Sequence, residues 1–226
     1  MARAAGAVIV AVSTAAILLA LAVLPFLNPL WVGFAQERAE AAAWTGYTPA
    51  ELRHATDGIL SDLILGPPDF DVEVSGQPVL TPREREHMTD VRGVFAGFAL
   101  AAVVAVITLL IAGRATRASL AFWGAVRAGA AAMAAGVVVV GVVGLVAFEV
   151  AFELFHRLFF ASGTYTFDPT TERLVQLFPQ RFWFETALAV GAVALFLATG
   201  TALLARRRLR ADAPTPAART AGLEPA

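Results

Sequence analysis

The chain has no cysteine. That excludes a disulfide framework, a thiolate zinc site and a cysteine nucleophile. It also has no lysine, since all 17 basic residues are arginine. With the abundant alanine, this reflects compositional bias and says nothing about a partner. Charge is scarce: 15% of residues are charged, 58% are hydrophobic, and the net charge is −1. An ordinary soluble domain is less apolar than this, and the balance implies no nucleic acid. There is no GxSxG elbow, no HExxH pair and no phosphate loop.

What is present is four windows nearly free of charge, over residues 5–27, 93–112, 128–150 and 184–205. Each has about the 20 residues that a helix needs to cross a hydrocarbon core. The fold class that follows is an all-α polytopic membrane protein. Four transmembrane helices are capped by a small, mostly helical extracytoplasmic domain. Arginine sets the orientation. The loop 113–127 carries Arg114, Arg117 and Arg127, and the tail 206–226 adds Arg206, Arg207, Arg208 and Arg210. The stretches Asn28–Arg92 and Glu149–Glu185, which hold the outer segments 28–92 and 151–183, are acidic overall. The positive-inside rule then puts both termini in the cytoplasm, residues 1–4 included, and the acidic segments outside, in a multi-pass protein of the cell membrane. "GFAQ" at Gly33–Gln36 resembles a signal-peptidase site. The preceding apolar run is longer than a signal core, so the span is expected to be retained.

Two stretches read as helix starts. In "TPAE" at Thr48–Glu51 and "TPRE" at Thr81–Glu84, threonine caps, proline takes the first position and glutamate completes a capping box. The second helix is expected to run through a lead-in, 82–92, into the second span. "FDVEV" at Phe70–Val74 alternates as a short strand would before the "SGQP" turn. "FDPTTERLVQLFP" predicts a helix capped by Asp168 and ended by Pro179. The Pro/Ala-rich tail after Arg210 reads as disordered.

The ionisable residues gather at "FELFHRLFF", Phe152–Phe160. Glu149, Glu153 and His156 fall on one helical face, and such groups at a membrane boundary usually face a cavity or a partner. His87, among Glu84, Glu86 and Asp90, reads from spacing alone as a solvated surface histidine, as does His54. Glu84–His87 and Glu153–His156 are E-x-x-H pairs of the kind that build di-metal sites in bundles. Both sit at helix ends, and no metal and no cofactor is expected.

"REREHMTDVRGVF" at Arg83–Phe95 and "FELFHRLFFASGTYTFDPTTERLVQLFPQRFWF" at Phe152–Phe184 resemble the bacterial lipoprotein intramolecular transacylase family and its four-span relatives. The order span, outer domain, "HMTDV", two spans, "FHRLFF…DP…LFP", span is similar too. Where the family pattern has Asn followed by Trp after "FHRLFF", this chain has "ASGTYTFDP", with Ser162 and Tyr165 near those places. The resemblance implies a diacylated lipoprotein substrate, membrane lipids as partners, and two catalytic histidines at His87 and His156. The reaction it implies moves the sn-2 acyl chain from glycerol to the α-amine of the N-terminal cysteine. That amine is mostly protonated at neutral pH and must lose a proton, while the leaving oxygen gains one, and histidine suits both tasks. Glu84 or Asp90 is expected to orient His87 and Glu153 to orient His156. Arg157 and Arg92 are candidate oxyanion donors, and Phe152, Phe155, Phe159 and Phe160 candidate lipid contacts. The alternatives are a relative acting on another lipid, or a non-catalytic membrane sensor or scaffold.

Overall fold

Both Thr-Pro-x-Glu stretches start helices. The computed structural model describes residues 2–161 and 163–211, so the predicted disorder of the tail lies outside the described residues. Thr48 Oγ1 accepts the Glu51 N–H, and the Glu51 carboxylate accepts the Thr48 N–H at 2.9 Å. Together with the Thr48 and Ser75 hydroxyls, that N–H holds the Glu51 carboxyl below the usual carboxylate range. Thr81 and Glu84 repeat the device, with the returning bond at 2.7 Å. The helices they open are α4 (Pro49–Ile64) and α5 (Pro82–Ala115). Before them come α1 (Ala2–Val23), a 3-10 turn at Leu24–Phe26, α2 (Pro29–Arg38) and α3 (Ala41–Thr45). After them come α6 (Leu120–Phe159), α7 (Arg173–Leu177) and α8 (Gln180–Ala211).

Four helices are long and apolar enough to cross a membrane: α1 with its 3-10 turn, α5, α6 and α8. They outrun the apolar windows read from the sequence. In particular α6 starts at Leu120 and continues to Phe159, because no helix breaker interrupts either flank of its apolar core. In the bundle α6 packs along α8 and α1, and α5 packs on α1. The face of α6 that buries Gly129 and Met133 against α1 continues through Gly136, Val140 and Val143. There it is uncovered, with Val140 67% exposed.

On one side of the bundle, α2, α3, α4, α7 and a hairpin form a cap. The hairpin pairs β1 (Glu73–Val74) with β2 (Gln77–Pro78). It turns at Ser75 and Gly76, both at positive φ, as a two-residue hairpin loop requires. The cap core joins Val32, Ala35, Ile59, Phe70, Val79 and Leu80 to Met88 of α5 and Phe182 of α8. At its centre Gln36 is 1% exposed. Its amide donates to the Leu177 carbonyl at 3.0 Å and accepts the Thr56 hydroxyl at 3.0 Å. Gln36→Leu keeps the volume but orphans both partners. We expect a loss of about 2–3 kcal/mol in cap stability, read by thermal unfolding in detergent. Adding Thr56→Val should recover part of it, because one orphan is then removed.

The helix predicted from Asp168 is shorter than expected and begins at Arg173. Asp168 Oδ1 is already taken by the Thr170 hydroxyl at 2.7 Å and the Thr170 N–H at 2.8 Å. These bonds hold the Asp168 carboxyl below its ordinary value and close a turn in place of a helix cap. The first turn of α7 takes its acceptor from elsewhere: Glu84 Oε1 receives the Leu174 N–H at 2.6 Å.

Candidate active site

His87 lies in the second turn of α5, and the lead-in around it is pinned on several sides. Glu84 is fully buried, its carboxylate shared between Thr81 and α7. Arg85 pairs with Asp71 at 2.8 Å. The Thr89 hydroxyl reaches the carbonyls of Arg85 at 3.0 Å and Pro68 at 3.3 Å. Arg92 donates to the carbonyls of Asp62 and Gly66, at the end of α4. With its neighbours fixed, His87 turns inward and is only 6% exposed, so it is not the solvated histidine that its spacing suggests. Its ring lies 4.9 Å from Phe160 and 5.3 Å from Phe167. Its Nδ1 is buried and has no hydrogen-bond partner among the described residues.

His156 arrives on a separate segment. Ala147 is non-helical (φ −144°, ψ 56°) and divides α6, so Phe148–Phe159 form a short helix aimed differently from the span below. No proline causes the bend. Here His156 Nδ1 lies 2.7 Å from the Phe152 carbonyl oxygen. A carbonyl only accepts, so Nδ1 is the donor and the neutral ring keeps its free lone pair on Nε2. The two histidine rings face each other at 6.2 Å, with planes 24° apart. Around His156 stand Phe152 at 4.2 Å, Tyr165 at 5.2 Å, Phe155 at 5.4 Å and Phe160 at 5.6 Å.

The other residues singled out from the sequence fall in varied places. Glu153 is beside His156, but its carboxylate receives Arg157 Nε at 2.8 Å and the Tyr165 hydroxyl at 3.2 Å. The imidazole takes its orienting bond from the Phe152 carbonyl. Glu84 is committed to backbone groups and Asp90 is exposed, so neither holds the His87 ring by a hydrogen bond. Arg92 serves α4, and Arg157 is a largely exposed partner of Glu153. Phe160 is buried between the rings, whereas Phe159 packs on Phe155 at 4.9 Å and is half exposed. Glu149 accepts from Gln180 at 3.3 Å. Among the described residues, no three His, Cys, Asp or Glu side chains converge as a metal site would require.

Tyr165 and Phe167 complete the enclosure and were not picked out as site residues. Their signal was there: two aromatics at alternate positions of a small, polar stretch. In extended chain that spacing puts both on one side.

An open cleft of about 580 Å³ lies elsewhere, between Trp44 of α3, Phe148 and the start of α8 at Gln180, Arg181 and Phe184. It connects to the histidines through rings, Phe148 to Phe152 at 5.8 Å and Phe152 to His156 at 4.2 Å.

A sequence model of the family described as "Lipoprotein intramolecular transacylase Lit" matches residues 7–183. The chain belongs to that family. The match spans the first three membrane helices and the whole cap, with both histidines inside it. Among solved structures, the membrane-integral lipoprotein intramolecular transacylase Lit of Bacillus cereus is similar, with a TM-score of 0.76 and 19% identity. The likeness covers 92% of this chain and 95% of that one. Two single-histidine variants of the Bacillus cereus protein are similar as well. One carries arginine there (TM-score 0.74, 18% identity, 92% of each chain) and the other alanine (TM-score 0.73, 18% identity, 91% and 92%). At these identities the structures establish the shared fold. No curated protein matches the chain. The family and the four apolar helices make this a multi-pass membrane protein of the lipoprotein transacylase class.

Proposed function

We propose that the chain moves the sn-2 acyl chain of a diacylglyceryl-cysteine lipoprotein onto the α-amine of the same cysteine, at the outer face of the membrane. The observation that carries this reading is the pair itself. Two histidines from different helices meet at 6.2 Å inside an aromatic enclosure at the junction of cap and bundle. The substrate supplies both nucleophile and ester, so the enzyme needs no nucleophile of its own, in keeping with a chain that has no cysteine.

The chemistry closes as follows. The amine nitrogen attacks the ester carbonyl carbon and gives up a proton. The tetrahedral intermediate collapses, the bond to the glycerol oxygen breaks, and that oxygen gains a proton. The product is an amide on the cysteine and a free glycerol hydroxyl. His156 Nε2 is the open lone pair; it takes the amine proton and, as the imidazolium, returns it to the departing glycerol oxygen. His87 faces the departing oxygen. It is buried without a hydrogen-bonded carboxylate, where a charge would be expensive, so it works as a neutral ring that hydrogen-bonds to the reacting oxygens. Positioned proton transfer contributes about 10²–10⁴-fold, and holding amine and ester of one molecule together contributes at least as much.

The acyl chains reach the pair from the outer leaflet, past Phe152, Phe155 and the uncovered outer face of α6. Arg114, Arg117 and Arg127 around the α5–α6 connection and Arg206, Arg207, Arg208 and Arg210 at the end of α8 then lie in the cytoplasm with both termini. Mass spectrometry of lipoprotein N-terminal peptides tests the reading. Cells that make only diacylglyceryl lipoproteins should yield N-acylated lyso peptides when they express this chain. Peptides that stay diacylated with the protein present in the membrane would overturn it.

A further inference from the structure

We infer that Tyr165 is a positioning residue for the reaction, and that Glu153 acts on His156 through it. This rests on the transfer reaction proposed above. The segment after α6 reverses direction at Gly163, whose φ of 88° suits glycine. Tyr165 is thereby returned to the helix that the chain has just left. Its ring sits 5.2 Å from His156 and 6.5 Å from Phe160. Its hydroxyl donates to Glu153 Oε1 at 3.2 Å, on the carboxylate that Arg157 anchors at 2.8 Å. The result is a clamp. Arg157 fixes Glu153, Glu153 fixes the phenol, and the phenol ring limits where the imidazole can turn.

The clamp gives Glu153 a role that its position on the helix does not suggest. One turn before His156, a carboxylate would ordinarily be read as the imidazole's own hydrogen-bond partner. Here Nδ1 is satisfied by the Phe152 carbonyl, and the carboxylate binds the loop. What it supplies is an acceptor for a phenol, and a neutral amide oxygen can do the same.

The variants that separate the two roles are Glu153→Gln, Glu153→Ala, Tyr165→Phe, Tyr165→Ala and the Glu153→Ala/Tyr165→Phe double, assayed as purified protein on a synthetic diacylated lipopeptide. Glu153→Gln keeps an acceptor and should turn over close to wild type, with an unmoved pH profile. Glu153→Ala and Tyr165→Phe should each lower kcat about five-fold, the worth of one ordinary hydrogen bond, with KM nearly unchanged. The double should be no worse than either single, because both remove the same bond. Tyr165→Ala, which frees the ring of His156, should cost about 100-fold. If Glu153 instead acted directly on the imidazole, Glu153→Gln would be as damaging as Glu153→Ala and would move the acid limb of the profile to lower pH.

A second readout needs no turnover. The rate at which diethyl pyrocarbonate modifies His156, followed by peptide mass spectrometry, should rise in Tyr165→Ala and Glu153→Ala and stay low in Glu153→Gln. Equal labelling in all of them would overturn the clamp. A wild type that labels as expected but makes no N-acylated product would instead overturn the reaction and leave the clamp standing.

Discussion

Replacing His87 with phenylalanine should silence the enzyme and raise its melting temperature at the same time. The ring is 6% exposed and its buried Nδ1 has no hydrogen-bond partner among the described residues. A buried polar group without a partner costs about 1–3 kcal/mol. Phenylalanine fills a similar space beside Phe160 and Phe167 and removes that cost. For a chain of this length each kcal/mol recovered is worth about 2–4 °C. Activity should move the other way, falling about 10²–10⁴-fold, because in the proposed reaction the lost nitrogens meet the reacting oxygens. A stabilising substitution that abolishes turnover marks a residue kept for chemistry. His156→Ala should show the same loss of product with little change in melting, since His156 is half-buried and its main bond is to its own helix backbone. His156→Asn is the sharper variant. Its amide can still donate to the Phe152 carbonyl, but it has no basic lone pair where Nε2 stood, so an anchored yet inactive protein is expected. Lipopeptide turnover and detergent melting curves on the same preparations check all three. A His87→Phe protein that melts lower and still makes N-acylated product would remove His87 from the mechanism.

Much of this architecture was legible before folding, and the parts that were not share a cause. The two Thr-Pro-x-Glu stretches close as capping boxes because every group in them is local, within three residues of the cap. The four membrane helices followed from apolar runs that nothing interrupts. The spacing of His87 suggested a surface residue, and that reading failed, because its surroundings along the chain are charged while its surroundings in space are Phe160, Phe167 and His156. The Asp168 helix failed because a side chain can serve only so many donors. Thr170 claimed Asp168, and α7 took its acceptor from Glu84, 90 residues away in sequence. The Glu153–His156 bond expected from helical spacing did not form for a similar reason. A nearer acceptor, the Phe152 carbonyl, and a donor from the next loop, Tyr165, divided the two groups between them. In each case local spacing described what a residue could reach, and the tertiary fold decided which partner it met.

The bundle that supports this site should fail at one glycine. Gly129 of α6 crosses α1 so closely that a Cβ there would lie 2.2 Å from the Ala11 carbonyl oxygen and 2.8 Å from Ala11 Cα. Those are backbone atoms and cannot swing aside. Small residues at such crossings are what lets helices approach in a membrane, where dispersion contacts and packing replace the hydrophobic effect as the driving force. Gly129→Ala should cost about 1–3 kcal/mol as the helices are pushed apart. Gly129→Leu should leave no monodisperse protein in detergent. The strain also reaches the chemistry, because α6 carries His156 at its far end. A surviving Gly129→Ala protein should therefore lose turnover by more than its folded fraction explains. Gly136→Ala is the control two turns along the same helix. No atom lies within 4 Å of a Cβ placed there, so the change should be neutral, or stabilising by up to about 1 kcal/mol through helix propensity. Size-exclusion profiles and melting curves of the three variants decide the matter. A Gly129→Leu protein that runs and melts like wild type would mean that α1 and α6 do not cross on their backbones.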